Sequence, residues 1–284
     1  MPCMDPSTTL TALHEFCTER LGPELAHHFM KMARPGFDLV VAAPEEAAGD
    51  SRFGGMAMLE PGTPWPTCDG FPLSLLAVLD TDALPREWLG DLIPAGTGLL
   101  NFFFLDTGSE QCHEAAFEVA GKRPAFCTAP ELAAVIAARS SHAVPAAPPA
   151  RASVFAPVPW AASPGFAFPN QSFDLVLPDD LGPEAMEMRD TIMRGLYLEH
   201  DFPDWEQRPG ALTAADIAFA WPVLSNSPPL PDGKELHQFQ HLLQISGPYE
   251  WGLGADGGDM HWTIPTEALR TGDFSRAIPT PDYA

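Results

Sequence analysis

Apolar and polar positions along the chain alternate in short runs, punctuated by proline and glycine. Leu10, Leu13, Phe16, Cys17 and Leu21 recur at the spacing of one helix face, between Asp5-Pro6 and Gly22. An acid at the N-cap, proline in the first turn and glycine past the end are helix terminus signals. A second short helix is predicted from Glu24 to Met32, stopped by Pro35. Both helices should pack on the body of the protein. Phe37 to Ala43 (FDLVVAA) reads as a strand, and Pro44 to Arg52 (PEEAAGDSR) as an acidic loop.

Two runs, PLSLLAVLD after Phe71 and LLNFFFLD after Gly98, have the length and aromatic content of buried strands. Glu114 to Val119 (EAAFEV) is predicted as a further strand. A capping-box pattern at Thr128 to Glu131 predicts a helix from Glu131 to Arg139. Seven prolines between Val144 and Pro169 remove backbone donors, so this stretch is predicted as a crossover tied to the surface by Phe155, Trp160, Phe166 and Phe168. Helices are then predicted from Glu184 to Leu198 and from Thr213 to Pro222. Leu236 to Ser246 and Met260 to Ile264 close the chain as a strand-like run, a glycine-rich turn and an aromatic strand.

That final order repeats the earlier one. The expected fold is therefore α+β and internally duplicated, with mostly antiparallel sheets under helical cover and an N-terminal helical segment. The expected divisions are 1–35 (helices), 36–143 (first half), 144–169 (crossover) and 170–284 (second half).

Charge changes the picture more than size does. The 284 residues carry 38 acids against 15 bases, a net charge of −23. Nucleic-acid binding needs clustered Lys and Arg to neutralise phosphates, and an anionic membrane surface needs the same, so both are excluded as partners. Five scattered cysteines with no C-x-x-C pair fit reduced thiols. The N-terminal sequence lacks the basic and apolar regions of a signal peptide, and no apolar run approaches the length of a membrane span. A cytoplasmic protein is expected.

Phe53-Gly54-Gly55, Trp65-Pro66, FPLSLLAVLD to Leu84-Pro85 and GTGLLNFFF form a set, with WGLGADGGDMHWTI and LRTGDFS near the C-terminus. In these features the chain resembles the YwqG-like family of bacterial proteins, whose function is uncharacterised. The resemblance implies an α+β fold with internal duplication in a cytosolic protein, and it implies no established cofactor.

Candidate chemistry is sparse. His237 and His241 are four apart, but on a strand that spacing is about 13 Å at ~3.3 Å per residue, too far for one metal ion. Surface or edge histidines are expected there, and a metal site of Asp259 with His261 is the lesser alternative. The loop Gly252 to Asp259 reads as a tight turn rather than a phosphate cradle, because a strand follows it and Asp256 and Asp259 would repel phosphate. No G-x-S-x-G elbow is present, and neither Cys112 nor Cys127 has an evident base. Trp65 and Trp251, at loop edges in the family-like segments, are candidate ligand anchors with Asp80, Asp256 and Asp259.

The expected function is that of an acidic binding protein, without metal or cofactor, that recognises a basic protein or cationic small ligand. The alternative is a hydrolase, metal-assisted or not, using Asp256, Asp259 and His261 or His241.

Overall fold

Asp5 accepts a hydrogen bond from the Thr8 N–H at 2.9 Å, and from this cap helix α1 runs over Pro6–Leu21. It ends at Gly22, whose φ of 80° is one that glycine adopts without strain. Helix α2 (Pro23–Met30) follows and packs against α1. Leu13, Phe16 and Cys17 from α1 and Ala26 and Phe29 from α2 are buried, with Phe29 stacked on Phe168 at 4.2 Å between ring centroids. The computed structural model describes residues 5–122, 129–169, 187, 191, 210–223, 238–247, 249–251 and 258–283.

After the helices come strands β1 (Arg34–Val41), β2 (Arg52–Phe53), β3 (Ala57–Leu59), β4 (Thr67–Cys68), β5 (Phe71–Pro72) and β6 (Ser74–Asp80). Helix α3 (Arg86–Leu89), strand β7 (Leu99–Phe104), helix α4 (Glu114–Ala120) and strands β8 (Ala133–Ala138), β9 (Val144–Ala146) and β10 (Val158–Ala167) follow. The last described elements are β11 (Asp216–Ala218), β12 (Phe239–Ile245), β13 (Gly258–Pro265), α5 (Thr266–Thr271) and β14 (Ile278–Tyr283).

Ten strands form one sheet in the order β14-β13-β12-β11-β1-β10-β2-β6-β7-β8, each paired antiparallel with its neighbours. The turn at Phe274–Arg276, just before β14, packs on β8, and the turn at Pro130–Leu132, just before β8, packs near β14. The sheet thus curls nearly to a closed barrel, which leaves little open edge for other chains to pair with. Across its interior Phe102 of β7 meets Trp262 of β13 at 5.3 Å. With its helices, the fold is α+β.

The strand order is close to a palindrome about β1 and β10, with β2-β6-β7-β8 on one side and β11-β12-β13-β14 on the other. Both β6 and β12 are seven residues long. Each carries a register shift against its partner, between Leu75 and Ala77 in one and His241 and Leu243 in the other. Superposing the two shifts sets Phe102 against Trp262, Asn101 against His261, Leu99 against Asp259, and the β8 residue Ala138 against Asp282 of β14.

Four expectations need correction. Glu114 to Val119 is helical, because the His113 side chain caps the Ala115 N–H at 3.1 Å and Ala116, Val119 and Ala120 bury one face. Residues 131–139 form a single 3-10 turn and then β8, since pairing with β7 outweighs the helix preference of an alanine-rich run. Thr213 and Ala214 do not open a helix. Their N–H groups bind the Asp38 carboxylate at 2.9 to 3.0 Å, and Asp216 starts β11. The proline-rich stretch 144–169 contains β9 and β10, and β10 lies at the centre of the sheet. Each proline of β10 is in register with one strand among the described residues, Pro159 with Arg52 of β2 and Pro164 with Phe37 of β1, which leaves a side where its missing N–H is not needed. The predicted helix from Glu184 to Leu198 lies outside the described residues except for Glu187 and Thr191, both helical, and the glycine-rich loop 252–257 lies outside them too.

Candidate functional site

Strand periodicity and one cross-strand pairing bring together a cluster of metal-ligating side chains among the described residues. Along β13, Met260, Trp262 and Ile264 share the face that meets Phe102 in the barrel, so Asp259, His261 and Thr263 share the opposite face. Strand β14 sets Asp282 directly across from Asp259 and Thr280 across from His261. One ligand atom each from Asp259, His261 and Asp282 lies within 4.8 Å of the other two.

The surroundings are dry. His261 is 0% exposed and Asp282 2%, while Asp259 is half-buried. Neither ring nitrogen of His261 meets a hydrogen-bond partner among the described residues, and the same holds for His241, Thr263 Oγ1 and Trp262 Nε1. The His241 ring sits 5.8 Å from that of His261. Backbone groups of Ala220 and Leu243 approach His241 closely enough to favour its charged form, but without hydrogen-bond geometry. Buried polar atoms are partnered in the great majority of cases, so three orphaned side chains on one sheet face, His241, His261 and Thr263, are unusual.

Electrostatics follow from burial. Burial pushes His261 down to about 4, opposed by the Asp282 carboxylate. His241 is held well below its ordinary range, first by burial and then by His261 and Arg34. Burial raises Asp259, the Ser246 hydroxyl offsets part of this, and the carboxylates of Asp282 and Asp216 raise it again. The cluster therefore combines neutral imidazole with two crowded carboxylates, a donor set that divalent ions accept.

Two other buried acids are saturated with partners. Asp216 accepts from the Ser246 and Gly247 N–H groups at 2.8 and 3.0 Å and from the Tyr249 hydroxyl, which itself accepts from Trp160 Nε1 at 2.7 Å. Asp106 accepts from the hydroxyls of Ser109 and Ser153 and from two backbone N–H groups. Both pin loops. A separate cleft of ≈ 440 Å³ beside Leu21, Pro23, Glu24 and His28 at the junction of α1 and α2 shares no residue with the cluster.

Of the described residues expected from sequence to bind a ligand, only Asp259 belongs to this cluster. Trp65 donates its indole N–H to the Leu73 carbonyl at 2.8 Å and meets Phe103 edge-on. Trp251 is buried against Phe104. Successive residues of a strand face opposite ways, so the two tryptophans lie on opposite sides of β7. The Asp80 carboxylate receives the N–H groups of Asp50, Asp82 and Ala83 at 3.1 to 3.3 Å, closing the turn after β6. The structure does not gather these three around one pocket. Asp256 and His237 lie outside the described residues.

The expectation of surface or edge histidines is overturned for His241 and His261, which are fully buried because β12 and β13 are covered on both faces. Asp282 was not singled out from sequence. It stands alone in the run Pro279 to Tyr283, and only its pairing with Asp259 reveals it.

The sequence matches the model of a domain of unknown function, DUF1963, over residues 51–282, which takes in the sheet from β2 to β14 and the whole cluster. The chain belongs to that family. No curated protein matches it. No helix among the described residues is long and apolar enough to cross a membrane.

Proposed function

We propose that this DUF1963 member is a cytosolic, non-catalytic binding protein whose acidic shell captures a basic protein or a cationic small ligand. The observation that carries the reading is the excess of 38 acids over 15 bases, together with the way the bases are engaged. Arg34 lies 3.5 Å over the Trp221 ring, and Arg52 donates to the Asp50 and Met56 carbonyls at 2.6 Å. Arg86 holds the Ile93 carbonyl, and Arg139 forms a two-point pair with Glu60. Meanwhile acids such as Glu45 and Glu46 stand exposed. Such a field speeds capture of positively charged partners and weakens with salt. A pull-down at low salt should recover basic proteins and release them as salt rises; recovery of none at low salt would contradict the reading.

A second reading, a metal-assisted hydrolase, draws support from the buried cluster of Asp259, His261 and Asp282 beside His241. Hydrolysis of test esters and phosphoesters that depends on added metal would favour it over simple binding.

The YwqG-like resemblance and an internal duplication belong to the same proposal. Support comes from the palindromic strand order and the matching register shifts of β6 and β12. In this reading each half lends its first long strand to the other, since β1 pairs with β11 and β10 pairs with β2.

A further inference from the structure

We propose that Asp259, His261 and Asp282 bind one divalent first-row transition ion, of the zinc, iron or manganese class. The ligand atoms already converge within 4.8 Å, on two paired strands rather than on a loop. His261 supplies the independent indication. It is 0% exposed, and neither ring nitrogen meets a partner among the described residues, although a ring nitrogen lies within 4.8 Å of an oxygen of each of the two carboxylates.

Charge points the same way. Two carboxylates brought this close in a dry place repel each other. A dication offsets both charges and leaves a neutral imidazole as the third donor. One nitrogen and two oxygens suit zinc, iron or manganese, whereas magnesium and calcium favour all-oxygen shells that retain water or carbonyls. Asp259, the half-buried member, is the side from which an ion and its remaining water ligands would enter.

The matching place in the other half of the sheet sharpens the argument. There the three positions are Leu99, Asn101 and Ala138, and no cluster forms. The Asn101 carboxamide is fully engaged, accepting from the Met58 N–H at 2.7 Å and donating to the Met58 and Ile136 carbonyls at 2.8 and 3.1 Å. A purely structural polar residue in this setting is satisfied by its neighbours. His261 is not.

This inference goes beyond the acidic-shell reading and does not rest on it. The test is equilibrium dialysis of full-length, chelator-stripped protein against Zn²⁺, Mn²⁺ or Mg²⁺, with metal content measured per chain. The variants are His261→Gln, Asp282→Asn and Asp259→Asn, and the Glu45→Gln/Glu46→Gln double variant is the surface control. Circular dichroism establishes which variants fold, and Asp259→Asn, at the half-exposed position, decides the matter if the buried changes unfold the chain. The expected result is about one Zn²⁺ per wild-type chain, weaker Mn²⁺ following the usual affinity order, and little Mg²⁺. Each folded cluster variant should raise the Zn²⁺ Kd at least about tenfold, the equivalent of ~1.4 kcal/mol, while the surface control keeps wild-type affinity. No stoichiometric Zn²⁺ on the wild type, or equal affinity in folded Asp259→Asn, overturns the proposal. Loss of binding in the surface control alone also overturns it, while leaving the acidic-shell reading standing.

Discussion

His261 shows what one residue can and cannot disclose. Its place on β13 follows from the alternation of DMHWTI, but its isolation does not, because that depends on how the neighbouring strands pair and cover it. The same reason hid Asp282, which has no local motif. Burial has a measurable consequence here. Held to about 4 against an ordinary 6.5, His261 is neutral in the folded chain while the unfolded chain binds a proton between those values. The unfolded state then holds more protons, so stability rises with pH, is complete above about 6.5 and is lost as pH falls toward 4. At ~1.36 kcal/mol per unit the whole span is worth on the order of 3 kcal/mol. Urea unfolding of metal-stripped protein at pH 7 and pH 5 should show part of this loss, and His261→Gln should reduce it, leaving the share of His241, which burial also holds well below its ordinary range. Asn101 makes a complementary case: Asn101→Leu strands the Met58 backbone groups and should cost about 2 kcal/mol in the same assay.

At the scale of elements, terminus signals and strand length were the legible features. Asp5, Pro6 and Gly22 marked α1 correctly, and the apolar runs behind β6, β7, β12 and β13 were all readable as strands. The misreadings share a cause. In β8 and α4 the local preference was weak, and the choice was made by a neighbour: the free edge of β7 in one, the His113 cap and a buried face in the other. Strand β10 misled because proline counts say nothing about which of its sides needs donors. Close backbone approach at the sheet centre was equally invisible. A Cβ on Gly36 would lie 2.4 Å from the Ala218 carbonyl oxygen and 2.6 Å from the Ala220 Cβ. Gly36→Ala should therefore destabilise by about 1–3 kcal/mol, lowering the urea midpoint without changing the slope.

The whole molecule depends on exchange across its centre. Because β1 completes the sheet next to β11, and β10 completes it next to β2, neither residues 1–143 nor 144–284 should fold when expressed alone. Co-expressed, the two pieces should purify together with the strand signature of the intact chain by circular dichroism. Separate folding of either piece would contradict the pairing. Exposed acids such as Glu45 and Glu46 form a different layer from the buried cluster, whose acids Asp259 and Asp282 lie on β13 and β14. Sequence disclosed the first layer directly from composition, and the second only through the register of β13 and β14. The divalent-ion site proposed for this chain resides in that second layer. The most direct measurement is the visible absorption of Co²⁺ titrated into the chelator-stripped wild-type protein and into folded His261→Gln. Protein-bound cobalt bands that saturate at one equivalent in the wild type, and are lost or shifted in the variant, are the predicted result; a spectrum that stays that of aqueous Co²⁺, or is the same in both proteins, would contradict the claim.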